Sequence, residues 1–157
     1  MASSPLSDLE AKFYYAGLPS APVLVARTST TPWEAPTGPE EYPAPKELRP
    51  VTNHLLLKIW GDSLAFKLIA LLDSDSMKVK FTSLDIVRIG IAEEDYPPVI
   101  LWIGVIPASL SRSDGANVAA KCKELLIEHN ITDVDVEIRE SVVNRGQSYS
   151  VIPVLAA

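Results

Sequence analysis

The chain holds one cysteine and two histidines among 157 residues. A lone Cys122 leaves no internal disulfide framework and fits a reducing compartment. His54 and His129 are too few for a histidine-rich metal site. Positive charge is also short, with 14 Lys plus Arg against 20 Asp plus Glu and a net charge of −6. An acidic chain repels phosphate backbones, so nucleic-acid binding loses its usual electrostatic drive. No apolar run approaches the roughly 20 residues of a membrane helix. The first residues lack a basic start followed by an apolar stretch, so no secretory signal is expected, and the expected location is cytoplasmic. Also missing are G-x-S-x-G, C-x-x-C and H-E-x-x-H motifs, a glycine-rich phosphate loop with its lysine, and a G-x-x-G clamp.

What is present is an ordinary soluble composition, 47% apolar and 22% charged, in a length that suits one domain with its own core. The clearest stretch runs from Pro98 to Val143. Val99–Ile106 is an unbroken apolar run between prolines, which reads as a strand buried on both faces. Past the loop of Ser109–Gly115, Val118, Cys122, Leu125 and His129 recur at helical spacing, with Ser113 or Asp114 as cap and Asn130 as a left-handed terminator. Asp133–Arg139 then alternates, with Val134, Val136 and Ile138 on one face and four charges on the other. That pattern reads as a strand with one buried and one wet face. Strand, helix and strand of these lengths predict a right-handed parallel crossover.

A second helix is expected over Asn53–Leu72, capped by Thr52 or Asn53 and bent or broken near Gly61. A strand within Val79–Ile91 should pair with Val99–Ile106 as an antiparallel hairpin. The core order is therefore α-β-β-α-β. The predicted fold class is α+β, a two-layer α/β sandwich with a mixed sheet of three to five strands and both helices on one face. Eight of the 13 prolines fall between Pro19 and Pro50, which excludes regular helix there. Val23–Arg27, behind Pro22, reads as an edge strand. The expected organisation is an N-terminal tail and Pro-rich arm over 1–50, a core over 51–143 and a tail over 144–157. The first dozen residues should fray, while Phe13, Tyr14 and Tyr15 should pack.

Candidate sites follow from position and chemistry. Ser109, Ser111 and Ser113 lie between a strand's carboxyl end and a helix start, where α/β proteins place ligands. Trp33 and Tyr42 in the Pro-rich arm are candidate partner contacts. Cys122 sits on an apolar stripe, which reads as packing and not as a nucleophile. Both histidines read as structural or surface residues. Asp133, Asp135 and Glu137 share a strand face but lack a second cluster to complete a cation site, so no metal and no cofactor is expected.

Several segments carry a resemblance: Ala26–Trp33 with Pro36–Pro39, Lys46–Val51, Asp85–Gly90, Pro98–Gly104 and Asp133–Val143. Together, over about residues 13–143, they resemble the N-terminal region of a group of uncharacterised fungal proteins. Longer members of that group carry a downstream trypsin-like segment. Its catalytic histidine motif has no counterpart here, and the tail after Val143 departs from the pattern. The resemblance implies no activity, cofactor or catalytic residue. The expected function is a non-catalytic protein-interaction or accessory domain whose partner is another protein or an adjacent domain. The alternatives are a small hydrolase-type enzyme with its pocket at Ser109–Ser113 and a histidine as base, and a regulatory domain separated from a peptidase-like one.

Overall fold

The computed structural model describes residues 6–18, 22–33, 45–91 and 96–141. Tyr42, most of the acidic turn before Pro97 and the 144–157 tail lie outside the described residues. The elements in chain order are α1 (Asp8–Phe13), β1 (Leu24–Arg27), β2 (Lys46–Arg49), α2 (Leu55–Ile59), α3 (Ala65–Asp73), β3 (Phe81–Ile91), β4 (Val99–Val105), α4 (Arg112–Glu128) and β5 (Asp135–Glu140). A π-helical turn, Trp60–Leu64, joins α2 to α3. Gly61 falls within it, so the helix absorbs an extra residue there without breaking.

The strands form one mixed sheet in the order β1-β5-β4-β3-β2. β3 and β4 make the expected antiparallel hairpin, and β4 and β5 are parallel with α4 between them in sequence. All seven residues of β4 are buried, as its unbroken apolar run requires of a central strand. Ser111, and not Ser113 or Asp114, caps α4 by accepting from the Asp114 amide. Asn130, at φ 64°, supplies the left-handed turn after the helix. His54, and not Thr52 or Asn53, caps α2 by accepting from the Leu56 amide through its ring.

The front face of the sheet is aliphatic. Leu84, Ile86, Leu101, Ile103, Val136 and Ile138 meet Leu56, Leu64, Leu68 and Leu72 from α2–α3, and Val118, Cys122 and Leu126 from α4. Each large side chain so buried contributes ~1.5–3 kcal/mol before its ordering entropy is charged against it.

The expectation of exactly two helices on one face is corrected by the other side. Residues expected to fray form α1, capped by Ser7, and this segment covers the back face. Tyr15 and Leu18 bury themselves there against Leu24, Val87, Ile89, Ile100 and Trp102. The first fifty residues also supply both edge strands, β1 and β2, so they are part of the sheet itself. β2 pairs with Arg88–Ile91 at the far end of β3, of which only Arg88 also pairs with β4. That corner turns over the back face, where the Lys46 amide donates to Ala16 at 2.7 Å. Gly17 makes the approach possible. Its φ is +96°, and a Cβ there would stand 2.8 Å from both the Lys46 nitrogen and Pro45 Cβ.

Candidate functional site

Among the described residues the buried polar side chains, Thr82, Asp85, Glu137 and Arg139, gather on the back face. Three rows of register partners cross β3, β4 and β5: Val87–Ile100–Asp135, Asp85–Trp102–Glu137 and Ser83–Gly104–Arg139. The reading of Glu137 and Arg139 as a solvated face is overturned here, since they are only 3% and 8% exposed. The reason is tertiary: residues remote in sequence bring a lid of rings with hydrogen-bonding tips.

Glu137 receives two phenols. Tyr15 Oη donates to Oε1 at 2.7 Å and Tyr14 Oη to Oε2 at 2.9 Å. Trp102 Nε1 donates in turn to Tyr15 Oη at 3.0 Å. The two tyrosine rings meet edge-on at 5.0 Å, and Tyr15 meets Trp102 at 5.6 Å. Lys46 Nζ sits 3.1 Å from the Tyr14 ring centre and Arg27 Cζ 5.1 Å from it. Long side chains from both edge strands therefore reach one ring. Arg27 is fixed by Glu10 of α1 at 2.8 Å and by Ser29 Oγ at 2.6 Å.

Burial sets the acid–base character of this cluster. It raises the Glu137 carboxyl above its ordinary range, against the phenol hydrogen bonds and the charges of Lys46 and Arg27. Burial first, and the Glu137 charge second, push both tyrosine hydroxyls upward. Beside them Arg139 stacks 3.5 Å from the Trp102 ring centre and donates to Ser83 Oγ at 3.2 Å. Its Nη2 lies 3.7 Å from Asp85 Oδ2. Burial raises the Asp85 carboxyl, and Arg139 opposes that shift.

The residues proposed from sequence lie elsewhere. Ser109 Oγ donates to the Ile106 carbonyl, Ser111 is the α4 cap, and Ser113 is exposed in the first turn of α4. His54 Nε2 lies 2.9 Å from Asp133 Oδ2, just before β5, and the hydrogen bond holds that carboxyl below its usual range. His129 caps the far end of α4, with Nδ1 against the Leu125 carbonyl and Nε2 near Lys67 Nζ. The serines therefore stand at the amino end of α4 and both histidines beyond its carboxyl end. A 17-residue helix separates them by ~25 Å at 1.5 Å per residue, too far for a histidine to serve a serine as base. Cys122 is fully buried, and its thiol is pushed up to about 12 by that burial.

Trp33 is half-buried, and its partner candidate Tyr42 is outside the described residues. Among the described residues no three metal-ligating side chains converge: Asp133 meets His54, Asp135 meets Thr28, and Glu137 meets the tyrosines. No described helix is long and apolar enough to cross a membrane. The run Phe13–Tyr14–Tyr15 is the sequence signal for the back-face cluster, because adjacent rings must pack against something, and Tyr14 and Tyr15 are the two that enter it.

Comparison with known proteins places the chain in no group, since no family model, curated protein or solved structure matches it.

Proposed function

We propose that this chain is a non-catalytic protein-interaction or accessory domain. The observation that carries the reading is where its reactive side chains are spent. Cys122 is packed under α4, Tyr15 and Glu137 are sealed between α1 and the sheet, and His54 and His129 cap helices. These groups hold the fold, and neither histidine reaches the serine loop. Large apolar side chains remain available outside: Phe66 is 70% exposed and Tyr96 87%. Trp33, half-buried beside Pro32, adds an aromatic contact within the Pro-rich stretch.

The test uses the whole chain as bait, since deleting the first fifty residues would remove both edge strands. A partner held saturably by the native chain should be lost with Trp33→Ala or Phe66→Ser at unchanged Tm. Hydrolase activity that disappears on replacing Ser109, Ser111 and Ser113 by alanine would instead establish the enzyme reading.

A further inference from the structure

One corner of the back face is left unfinished. Among the described residues three buried side-chain polar atoms lack a partner, and two of them, Thr82 Oγ1 and Arg139 Nη1, belong to this corner. Both residues are more than nine-tenths buried. A bulge at Thr82 lets β3 set two residues against one of β4 and turns the Thr82 hydroxyl toward the side of Ser83. The two hydroxyl oxygens crowd over Gly104. A Cβ on that glycine would stand 2.5 Å from Ser83 Oγ, 2.9 Å from Thr82 Oγ1 and 3.0 Å from Ser141 Cβ. Glycine is thus the residue that lets three hydroxyl-bearing side chains close on one point. Ser83 Oγ is also the acceptor of Arg139 Nη2. The corner lies at the carboxyl ends of the parallel pair β4–β5, the end at which open α/β sheets receive ligands. Ser83 and Ser141 are half-exposed, which gives it an opening to solvent.

We infer that this corner is a binding site for a carboxylate, held by Arg139 Nη1 and the Thr82 hydroxyl and entered past Ser83 and Ser141. A buried guanidinium edge and a buried hydroxyl without acceptors are costly unless an acceptor group completes them. A planar carboxylate offers two oxygens to such a pair of donors and matches the guanidinium fork. Asp85 already stands against Nη2 and leaves Nη1 as the open edge. A second singly charged group is tolerated beside it, whereas a phosphate dianion meets greater repulsion from Asp85. The inference is independent of the interaction reading, because it rests on the unpaired donors of this corner and not on the exposed aromatic side chains.

The experiment is an NMR titration of the full chain with sodium formate and with N-acetylglycine, against sodium chloride and inorganic phosphate. The reporter is the indole N–H of Trp102, whose ring carries Arg139 3.5 Å above it. A saturable shift with the two carboxylates and none with chloride is expected. Thr82→Val keeps the shape and removes one donor, so it should weaken binding roughly 2- to 10-fold, the worth of one hydrogen bond, without lowering Tm. Arg139→Lys keeps the charge, loses the fork and should weaken binding further. Tighter binding of N-acetylglycine than formate would assign the site to a peptide terminus, and equal binding to a free small acid. The inference is overturned by the absence of a saturable shift, by Thr82→Val binding as well as the native chain, or by phosphate binding as tightly as the carboxylates. Should Arg139→Lys fail to fold, the Thr82→Val comparison still decides.

Discussion

The two faces of the sheet are built from the same strands by opposite means. In β4, Leu101 points forward into an aliphatic layer and Trp102, the next residue, points back into a network of phenols, carboxylates and guanidinium groups. Forward contacts are non-directional, so any side chain of suitable size and apolarity satisfies them. Backward contacts are directional, and each buried polar atom needs a particular partner at a particular place. The front face is therefore secured by amount and the back face by pairing. The difference also shows in the unpaired polar atoms among the described residues: the front holds one, Trp60 Nε1, among aliphatic side chains, while the back gathers two, Thr82 Oγ1 and Arg139 Nη1, in one corner.

The largest effect expected from this contrast is on the front. Leu101→Ala, at a position with no exposure, should cost ~2–5 kcal/mol of unfolding free energy in urea titration, because the rigid sheet cannot collapse into the gap. A loss under ~1 kcal/mol would mean that the front layer is far looser than its packing implies. On the back, Tyr15→Phe keeps the ring but leaves Trp102 Nε1 without its acceptor and Glu137 Oε1 without its donor. Its expected cost is ~1–3 kcal/mol, the penalty for orphaned buried groups, with Tyr14→Phe costing less because Tyr14 is only partly buried. Equal costs for the two would break the distinction between a sealed and a peripheral phenol.

The third test concerns pH. The folded Glu137 carboxyl titrates above its ordinary value of 4.5, so the folded state holds this proton more tightly than the unfolded chain. Its contribution to stability is fully present below the unfolded value and is lost as pH rises from there through the raised folded value. Glu137→Gln should flatten that part of the stability–pH curve, read by denaturant titration across the window. An unchanged slope would assign the effect to Asp85, whose carboxyl is raised by burial as well.

How far the sequence could be read follows the same divide. Val99–Val105, the helix over Arg112–Glu128 and the front-facing Val134, Val136 and Ile138 were legible because apolar periodicity is a local signal of burial. The pairing of β3 with β4 and the edge position of β1 behind Pro22 followed from spacing and from the missing proline N–H. Glu137 and Arg139 were misread for the same local reason, since a charge on an alternating strand ordinarily faces water. Glu137 is met by Tyr14 and Tyr15, more than a hundred residues earlier, and Arg139 by Trp102, Ser83 and Asp85 of the neighbouring strands, and no local pattern encodes either meeting. Nor did spacing show that Ser109–Ser113 and the two histidines lie at opposite ends of α4.

By itself, then, the sequence determined the aliphatic half of the protein: which strands are central, which helix returns the chain, and that β4 and β5 run parallel. Tertiary structure alone decided the polar half, including the third helical segment, the meeting of Arg27 and Lys46 at one ring, and the unpaired donors beside Gly104. The physical reason is that hydrophobic burial needs only the right kind of residue at the right period, whereas a buried hydrogen bond needs two specific atoms whose meeting the whole fold must arrange.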